Sequence, residues 1–372
     1  MALSTKDQKI KDFDINAPAA AEANLFGLPF TEQESDIVIL PVPWEVTVSY
    51  RGGTAKAPDA IKQASLQVDL FDADVADAWK NGICLLPINK KWKQTSKQLR
   101  KKAERVIELL SNGTSEKNKE VKKLTKEINE AGTKLKSWIK NEMLTQLNNR
   151  KLPALLGGDH STPLGFMEAL AEKNPSFGIL QIDAHCDLRQ AYEGFTYSHA
   201  SIMYNALQIK QVSKLVQVGI RDFCQQEMDV AKKEGDRVKI FFDRDMKRSL
   251  FEGFSWKDIC DAIINALPEK VYVSFDIDGL EASLCPNTGT PVAGGLQYEQ
   301  AVYLLWKLAI SGKTIIGFDL NEVAPGKDEW DANVGARLLY KLCNLMALSQ
   351  TQKKDSKSAN EKKWEVEKEQ AD

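Results

Sequence analysis

The chain has little histidine: three residues in 372, at positions 160, 185 and 199. It also lacks a net charge of either sign. Fifty Lys and Arg stand against 52 Asp and Glu, a formal −2 at pH 7, which gives no electrostatic case for nucleic acid or an acidic membrane surface. Long apolar runs are missing too. Stretches such as LLPI (85–88) and IIGF (315–318) fall far short of the ~20 residues that a bilayer span requires. Six cysteines occur, at 84, 186, 224, 260, 285 and 343, and none forms a C-x-x-C pair. That spacing argues against a thiolate zinc site and a disulfide framework. The start, MALSTKDQKIKDFDIN, has no apolar core of a signal peptide. The expectation is a cytoplasmic protein with reduced thiols.

What the chain does have is an alternation of two patterns. Short apolar runs read as buried strands: DIVILPVP (36–43), GICLLPI (82–88), LPALLGGD (152–159), FGILQIDA (177–184), KLVQVGI (214–220), KVYVSFDID (270–278) and KTIIGFDL (313–320). Amphipathic segments separate them, among them STPLGFMEALAEK, SHASIMYNALQI, SWKDICDAIINAL, QYEQAVYLLWKLAI and NVGARLLYKLCNLMAL. This rhythm predicts an α/β fold with a mainly parallel sheet covered on both faces. We read 1–350 as one domain. Residues 89–150 break the rhythm. Leu99, Ala103, Val106 and Leu110, then Val121, Leu124, Ile128, Ala131, Leu135 and Trp138, recur in steps of three and four on either side of Asn112-Gly113. The spacing predicts an inserted helical hairpin, packed on its own domain or forming a subunit contact. The tail, 351–372, balances six lysines against six acidic residues with almost nothing apolar, and reads as disordered or a frayed helix.

In open parallel sheets, ligands bind beyond the carboxyl ends of the strands. Three predicted strands end in ligand-type residues: Gly157-Gly158-Asp159-His160, Asp183-Ala184-His185-Cys186-Asp187 and Asp276-Ile277-Asp278. Extended chain sends residues two apart to the same side, so Asp183, His185 and Asp187 share a side, as do Asp276 and Asp278. Each motif alone is commonly a capped turn. Together they gather four aspartates and two imidazoles, and that many buried carboxylates repel unless cations join them. An oxygen-rich set with two nitrogens suits two divalent ions, Mn²⁺ before the others, with Ni²⁺ also accepted by imidazole. Cys186 alternates to the other side and reads as core.

GGDHS (157–161), DAHCD (183–187), SFDID (274–278) and NTGTP (287–291), with SYRGGTAKAPDAI (49–61), resemble in order the blocks of the ureohydrolase superfamily of arginase, agmatinase and formimidoylglutamase. The resemblance implies a three-layer α/β/α arginase-like fold with about eight strands, a trimer or hexamer, and a binuclear centre that hydrolyses a guanidino or formimino group. By position, His160, Asp183, Asp187 and Asp276 match the ligands of one metal. Asp183, His185, Asp276 and Asp278 match those of the other, Asp183 and Asp276 bridging. His199, in YSHAS, matches a histidine that shuttles protons or touches substrate. Glu322, in GFDLNEV, matches the glutamate that pairs with the guanidinium. Asp278 or His199 is then the proton donor to the leaving amine. The chain departs from the family pattern at Glu281-Ala282 and Pro286-Asn287.

The run LRQAYEGFTYSHAS (188–201) looks more like agmatinase than arginase. Arg189 has two readings: it recruits a substrate carboxylate, or it braces the loop through an acidic neighbour such as Glu193. Trp44, Tyr50, Tyr192, Phe195 and Tyr197 are candidate pocket aromatics. The expected substrate is a small guanidino cation, agmatine first, then guanidine or a guanidino acid, then arginine, with formimidoylglutamate as a further alternative. An inactive metal-binding relative is the reading from a different class.

Overall fold

A computed structural model describes residues 4–20 and 22–369, with side chains as far as Thr351. Eight strands form one sheet: β1 (Ile37–Pro41), β2 (Ile83–Leu85), β3 (Leu152–Leu156), β4 (Phe177–Ile182), β5 (Val212–Ile220), β6 (Val238–Phe242), β7 (Lys270–Asp276) and β8 (Thr314–Asn321). Their order is β2-β1-β3-β8-β7-β4-β5-β6, and every pairing is parallel. β1 and β4, IVILP and FGILQI, are buried from end to end, and β3, β7 and β8 are buried at all but one residue each. Continuous apolar runs arise because helices cover both faces, so neither side of a strand meets water. β6 escaped the sequence reading. VKIFF carries Lys239, lies at the sheet edge and stays partly exposed.

The helices are α1 (Thr5–Asp12), α2 (Ala57–Ser65), α3 (Lys90–Ser111), α4 (Lys119–Asn148), α5 (Leu164–Lys173), α6 (Ile202–Ala206), α7 (Gln225–Glu234), α8 (Asp243–Phe251), α9 (Trp256–Asn265), α10 (Tyr298–Ile310) and α11 (Trp330–Glu369). One core lies between the sheet and α2, α9, α10 and α11, with Ile61, Ile263, Leu305 and Leu339 at its centre. The other lies between the sheet and α3 to α6, with Val106, Ile139, Phe166 and Met203. The result is a three-layer α/β/α fold. None of the helices among the described residues is long and apolar enough to cross a membrane.

The helical hairpin expected over 89–150 is α3 and α4. Asn89 caps α3, accepting from the N–H groups of Lys91 and Trp92, and Asn118 caps α4 in the same way. Their apolar stripe enters the core of their own domain: Ala103, Val106, Val121, Ile128 and Leu135 are buried there. Truncating one of the larger of these to Ala costs on the order of 2–5 kcal/mol. The backbone of α11 runs on through the charged tail to Glu369, and the tail's side chains beyond Thr351 lie outside the described residues.

Candidate metal centre

Four adjacent central strands, β3, β8, β7 and β4, deliver the candidate residues at their carboxyl ends. The β3 turn carries His160. Its two glycines are there for close approach: a Cβ on Gly157 would lie 1.7 Å from Asn321 Oδ1, and one on Gly158 1.9 Å from the Trp44 carbonyl oxygen. Asp183, His185 and Asp187 follow β4, Asp276 ends β7, Asp278 sits in the turn Ile277–Gly279, and Glu322 follows β8. Strict alternation does not account for Asp187. Its backbone is left-handed (φ 54°), as is that of Glu322 (φ 62°). Such strain is held in place where surrounding structure fixes it, often at functional sites. Here it swings Asp187 back toward His160, while Cys186 is buried in the core as expected.

His160 Nδ1 lies 3.0 Å from Asp183 Oδ2, 3.1 Å from Asp187 Oδ2 and 3.3 Å from Asp276 Oδ2. His185 Nδ1 lies 3.1 Å from Asp278 Oδ2 and 3.5 Å from Asp183 Oδ1. Two clusters result, His160–Asp183–Asp276 and Asp183–His185–Asp278, each with its ligand atoms within 4.8 Å of one another. Asp183 belongs to both. Asp276, expected to bridge, falls in the first cluster only. Burial works against charge here. It raises Asp276 well above the carboxylate range, with Asp278 and Asp183 adding repulsion, and lifts Asp187 to about 7, with Asp183 adding to it. Burial also opposes the ionised form of Asp183, but the imidazoles of His160 and His185, 3.0 and 3.5 Å away, outweigh it and hold that carboxyl far below its usual range.

Supporting residues were not legible in the sequence. Gln217 Nε2 donates to Gln181 Oε1, and Gln181 Nε2 donates to Asp183 Oδ2 (2.7 Å). Behind His160, Nε2 meets Ser274 Oγ at 2.9 Å, and Ser274 donates to Asp319 Oδ1 (3.1 Å). Such partners fix the tautomer and direction of a ligand. Asn287, where the chain departs from the pattern, is held by Asp331 through both its backbone N–H and its side chain. Its neighbour Thr288 donates to the Glu322 carbonyl at 2.8 Å.

Glu322 Oε1 accepts from the His160 N–H (2.9 Å), while Oε2 is buried with no partner. Burial, then the charge of Asp159, raises its pKa well above the usual range. A cavity of about 150 Å³ opens at His185 and Asp187, with Arg189, Tyr192, His199, Asp222 and Glu227 also in its wall. Burial lowers His199 to about 3, and the nearby His185 and His160 push the same way, so its imidazole is neutral. Arg189 lies over the Tyr192 ring (4.9 Å to the centroid) with Nε 4.0 Å from Glu227 Oε2. The acidic neighbour of Arg189 is therefore Glu227 and not Glu193, whose own turn carries it elsewhere. Of the candidate aromatics, Tyr192 lines the cavity, Trp44 and Phe195 are core, Tyr197 packs on α4 and Tyr50 is exposed.

An α/β/α sheet whose central strands carry two histidine–aspartate clusters sharing one aspartate defines an arginase-like fold with the ligand set of a binuclear centre. The chain belongs to the Arginase family, whose model matches residues 35–344. It is 30% identical over 316 residues to the N(1)-aminopropylagmatine ureohydrolase of Thermus thermophilus (85% of this chain, 92% of the relative). It is 32% identical over 326 residues to that of Thermococcus kodakarensis (86% and 94%). Among solved structures, the agmatine ureohydrolase of Thermoplasma volcanium superposes with a TM-score of 0.67 at 19% identity, covering 93% of this chain and 99% of that one.

Proposed function

We propose that this chain hydrolyses the guanidino group of an agmatine-type amine and releases urea. The observation that carries the reading is Glu322 Oε2, a carboxylate oxygen buried without a partner beside the two clusters. A buried carboxylate of this kind asks for a cation, and a guanidinium offers planar, paired N–H donors to it.

The family implies two divalent ions, and the residues fit them. His160 Nδ1 is buried, has no partner in hydrogen-bond geometry and faces three carboxylate oxygens. His160, Asp183, Asp187 and Asp276 would hold one ion and Asp183, His185 and Asp278 the other. The donor set favours Mn²⁺, with Ni²⁺ second. When bound, the ions supply Lewis acidity that activates water near neutral pH.

The rest falls to the protein. Glu322 takes the guanidinium and fixes its plane, and its own position is fixed by the His160 N–H and the Thr288 hydroxyl. Orientation of this kind lowers the barrier by pre-paying entropy. The leaving amine needs a proton, delivered by Asp278 or, through a water, by His199. Neutral His199, with Ser198 Oγ at 3.2 Å from Nδ1, would release the proton of one ring nitrogen to the water that serves the leaving amine while its other ring nitrogen takes one up, so the relay leaves it neutral.

The substrate's tail meets a wall that carries Asp222 and Glu227, and Arg189 is engaged by Tyr192 and Glu227. With Asp222 and Glu227 against the single guanidinium of Arg189, that wall suits an ammonium better than a carboxylate. It favours agmatine, or N(1)-aminopropylagmatine as the second reading, since relatives of that name are 30% and 32% identical to this chain. The test is kcat/KM for agmatine, N(1)-aminopropylagmatine, guanidinobutyrate, guanidine and arginine with Mn²⁺ present. The two amines should lead. Preference for arginine or guanidinobutyrate would overturn the assignment of the tail.

A further inference from the structure

We infer that the inserted helix α4 positions the loop that closes over the substrate, with Asn129 as the positioning residue. The role rests on the functional reading above, because the loop matters for turnover only if its cavity is the substrate site. The geometry stands by itself.

The loop turns sharply between Tyr192 and Phe195. Phe195 N donates to the Tyr192 carbonyl (2.8 Å) and Tyr192 N to the Phe195 carbonyl (3.2 Å). The two central residues, Glu193 and Gly194, both have positive φ, 53° and 81°. This is the backbone of a two-residue hairpin turn, a shape that favours Asn-Gly and tolerates Glu poorly. Something outside the loop must hold it.

That support is one face of α4. Asn129 Nδ2 donates to the Gly194 carbonyl (3.1 Å), and Asn129 Oδ1 accepts from Thr196 N (3.0 Å). One amide thus grips the loop backbone on both sides of Phe195. One helical turn on, Gly132 gives Tyr197 a seat: a Cβ there would lie 2.7 Å from Tyr197 Cδ2. Lys136, a further turn along, has its ammonium 5.4 Å from the centre of the same ring. Positions 129, 132 and 136 share a face at helical spacing. The sequence gives α4 a polar residue, a hole and a cation where the loop lands.

The loop passes this order to the site. Tyr192 and His199 flank the gripped segment and both line the cavity, their rings edge to face at 6.2 Å. Arg189 lies on Tyr192 in turn. A helix outside the eight-stranded frame therefore sets the wall facing the substrate, though it contributes no residue to that wall.

The experiment compares Asn129→Ala, Asn129→Asp and Gly132→Ala with wild type, each loaded with Mn²⁺. Lys134→Ala, on the exposed side of α4, is the control. Asn129→Ala should keep the metal content and melting temperature of wild type. Its Thr196 amide should exchange with solvent at least tenfold faster, the β4 amides unchanged. KM for agmatine should rise by roughly tenfold to a hundredfold, the scale of an ångström-size misplacement, with kcat falling less. Asn129→Asp keeps the acceptor for Thr196 N and should recover part of the loss. Gly132→Ala should reproduce the KM effect by displacing Tyr197, so the inference survives a failure of Asn129→Ala to fold. An unchanged KM in folded, metal-loaded Asn129→Ala overturns it, whatever the exchange rate. So does faster exchange that extends through β4, which would make Asn129 a general structural residue. If wild type hydrolyses no guanidino amine, the functional reading fails, and the exchange comparison alone still decides whether Asn129 holds the loop.

Discussion

Glu322 is tied to His160: its Oε1 accepts the His160 backbone N–H at 2.9 Å, across 162 residues of sequence. The residue that would hold the guanidinium is thereby fixed to a residue that would hold a metal. Glu322→Gln preserves the shape and the contact at His160 but removes the charge. It should cost roughly 2–4 kcal/mol in kcat/KM, the range of a charged hydrogen bond lost in a buried site. Metal content measured on the purified variant should not change. Loss of metal together with normal turnover by the remaining holoenzyme would place Glu322 in the wrong role.

Asp183 is the residue shared by the two clusters. Asp183→Ala should therefore strip both ions, whereas Asp187→Ala should weaken the site at His160 and spare the one at His185. Elemental analysis of protein purified without chelator should give near two ions per chain for wild type. Retention of one full equivalent by Asp183→Ala would contradict the shared placement.

Arg189 lies over the Tyr192 ring and 4.0 Å from Glu227, and we propose that it braces the cavity wall there. Its removal should lower kcat/KM by about tenfold for every guanidino substrate, as expected when an aligned wall loosens. Specificity constants for agmatine and arginine, compared between wild type and Arg189→Ala, check this. A selective collapse for arginine would restore the carboxylate-binding role.

Asp72 gives a pH-dependent prediction away from the site. It is buried, and burial raises its pKa, but hydrogen bonds from Lys341 and Asn344 of α11, each 2.8 Å, bring the net shift below the usual value. A carboxyl with a depressed folded pKa stabilises above its unfolded value near 3.9 and loses that contribution as pH falls through the folded one. Asp72→Asn should cost about 1–3 kcal/mol at pH 7. The cost should shrink below about pH 4, as read from denaturant midpoints of both proteins across pH. A constant difference down to pH 2 would refute the linkage.

The parts of this molecule that could be read from its sequence share a physical origin. β3, β4 and β7 are buried on both faces, so their apolar runs stand out, and the first polar residues after them fall where ligands gather. The stripe Val121, Ile128, Leu135 announces α4 because a helix needs one apolar side. What was hidden depends on partners distant in sequence. β6 is an edge strand with a lysine, and its neighbour across the ladder, not its own pattern, makes it a strand. Gln181, Ser274 and Asp319 are polar residues inside strands, and only the pairing of β4, β7 and β8 shows what they support. Glu227 is 38 residues beyond Arg189, and nothing local points to it. Asp187 reaches the cluster through a left-handed backbone that no alternation rule anticipates. The grip of Asn129 on Gly194 and Thr196 joins an insertion to a loop 65 residues away.

The central claim is that two ions held by these clusters let the chain hydrolyse a guanidino amine. Its most direct test is a titration. Protein stripped with chelator is given increasing Mn²⁺, and the initial rate of urea release from agmatine or N(1)-aminopropylagmatine is followed at each step. The rate should be negligible at the start and climb until two ions are bound per chain. Full activity in the stripped protein, saturation at a single ion, or no urea from either amine at two ions per chain would contradict it.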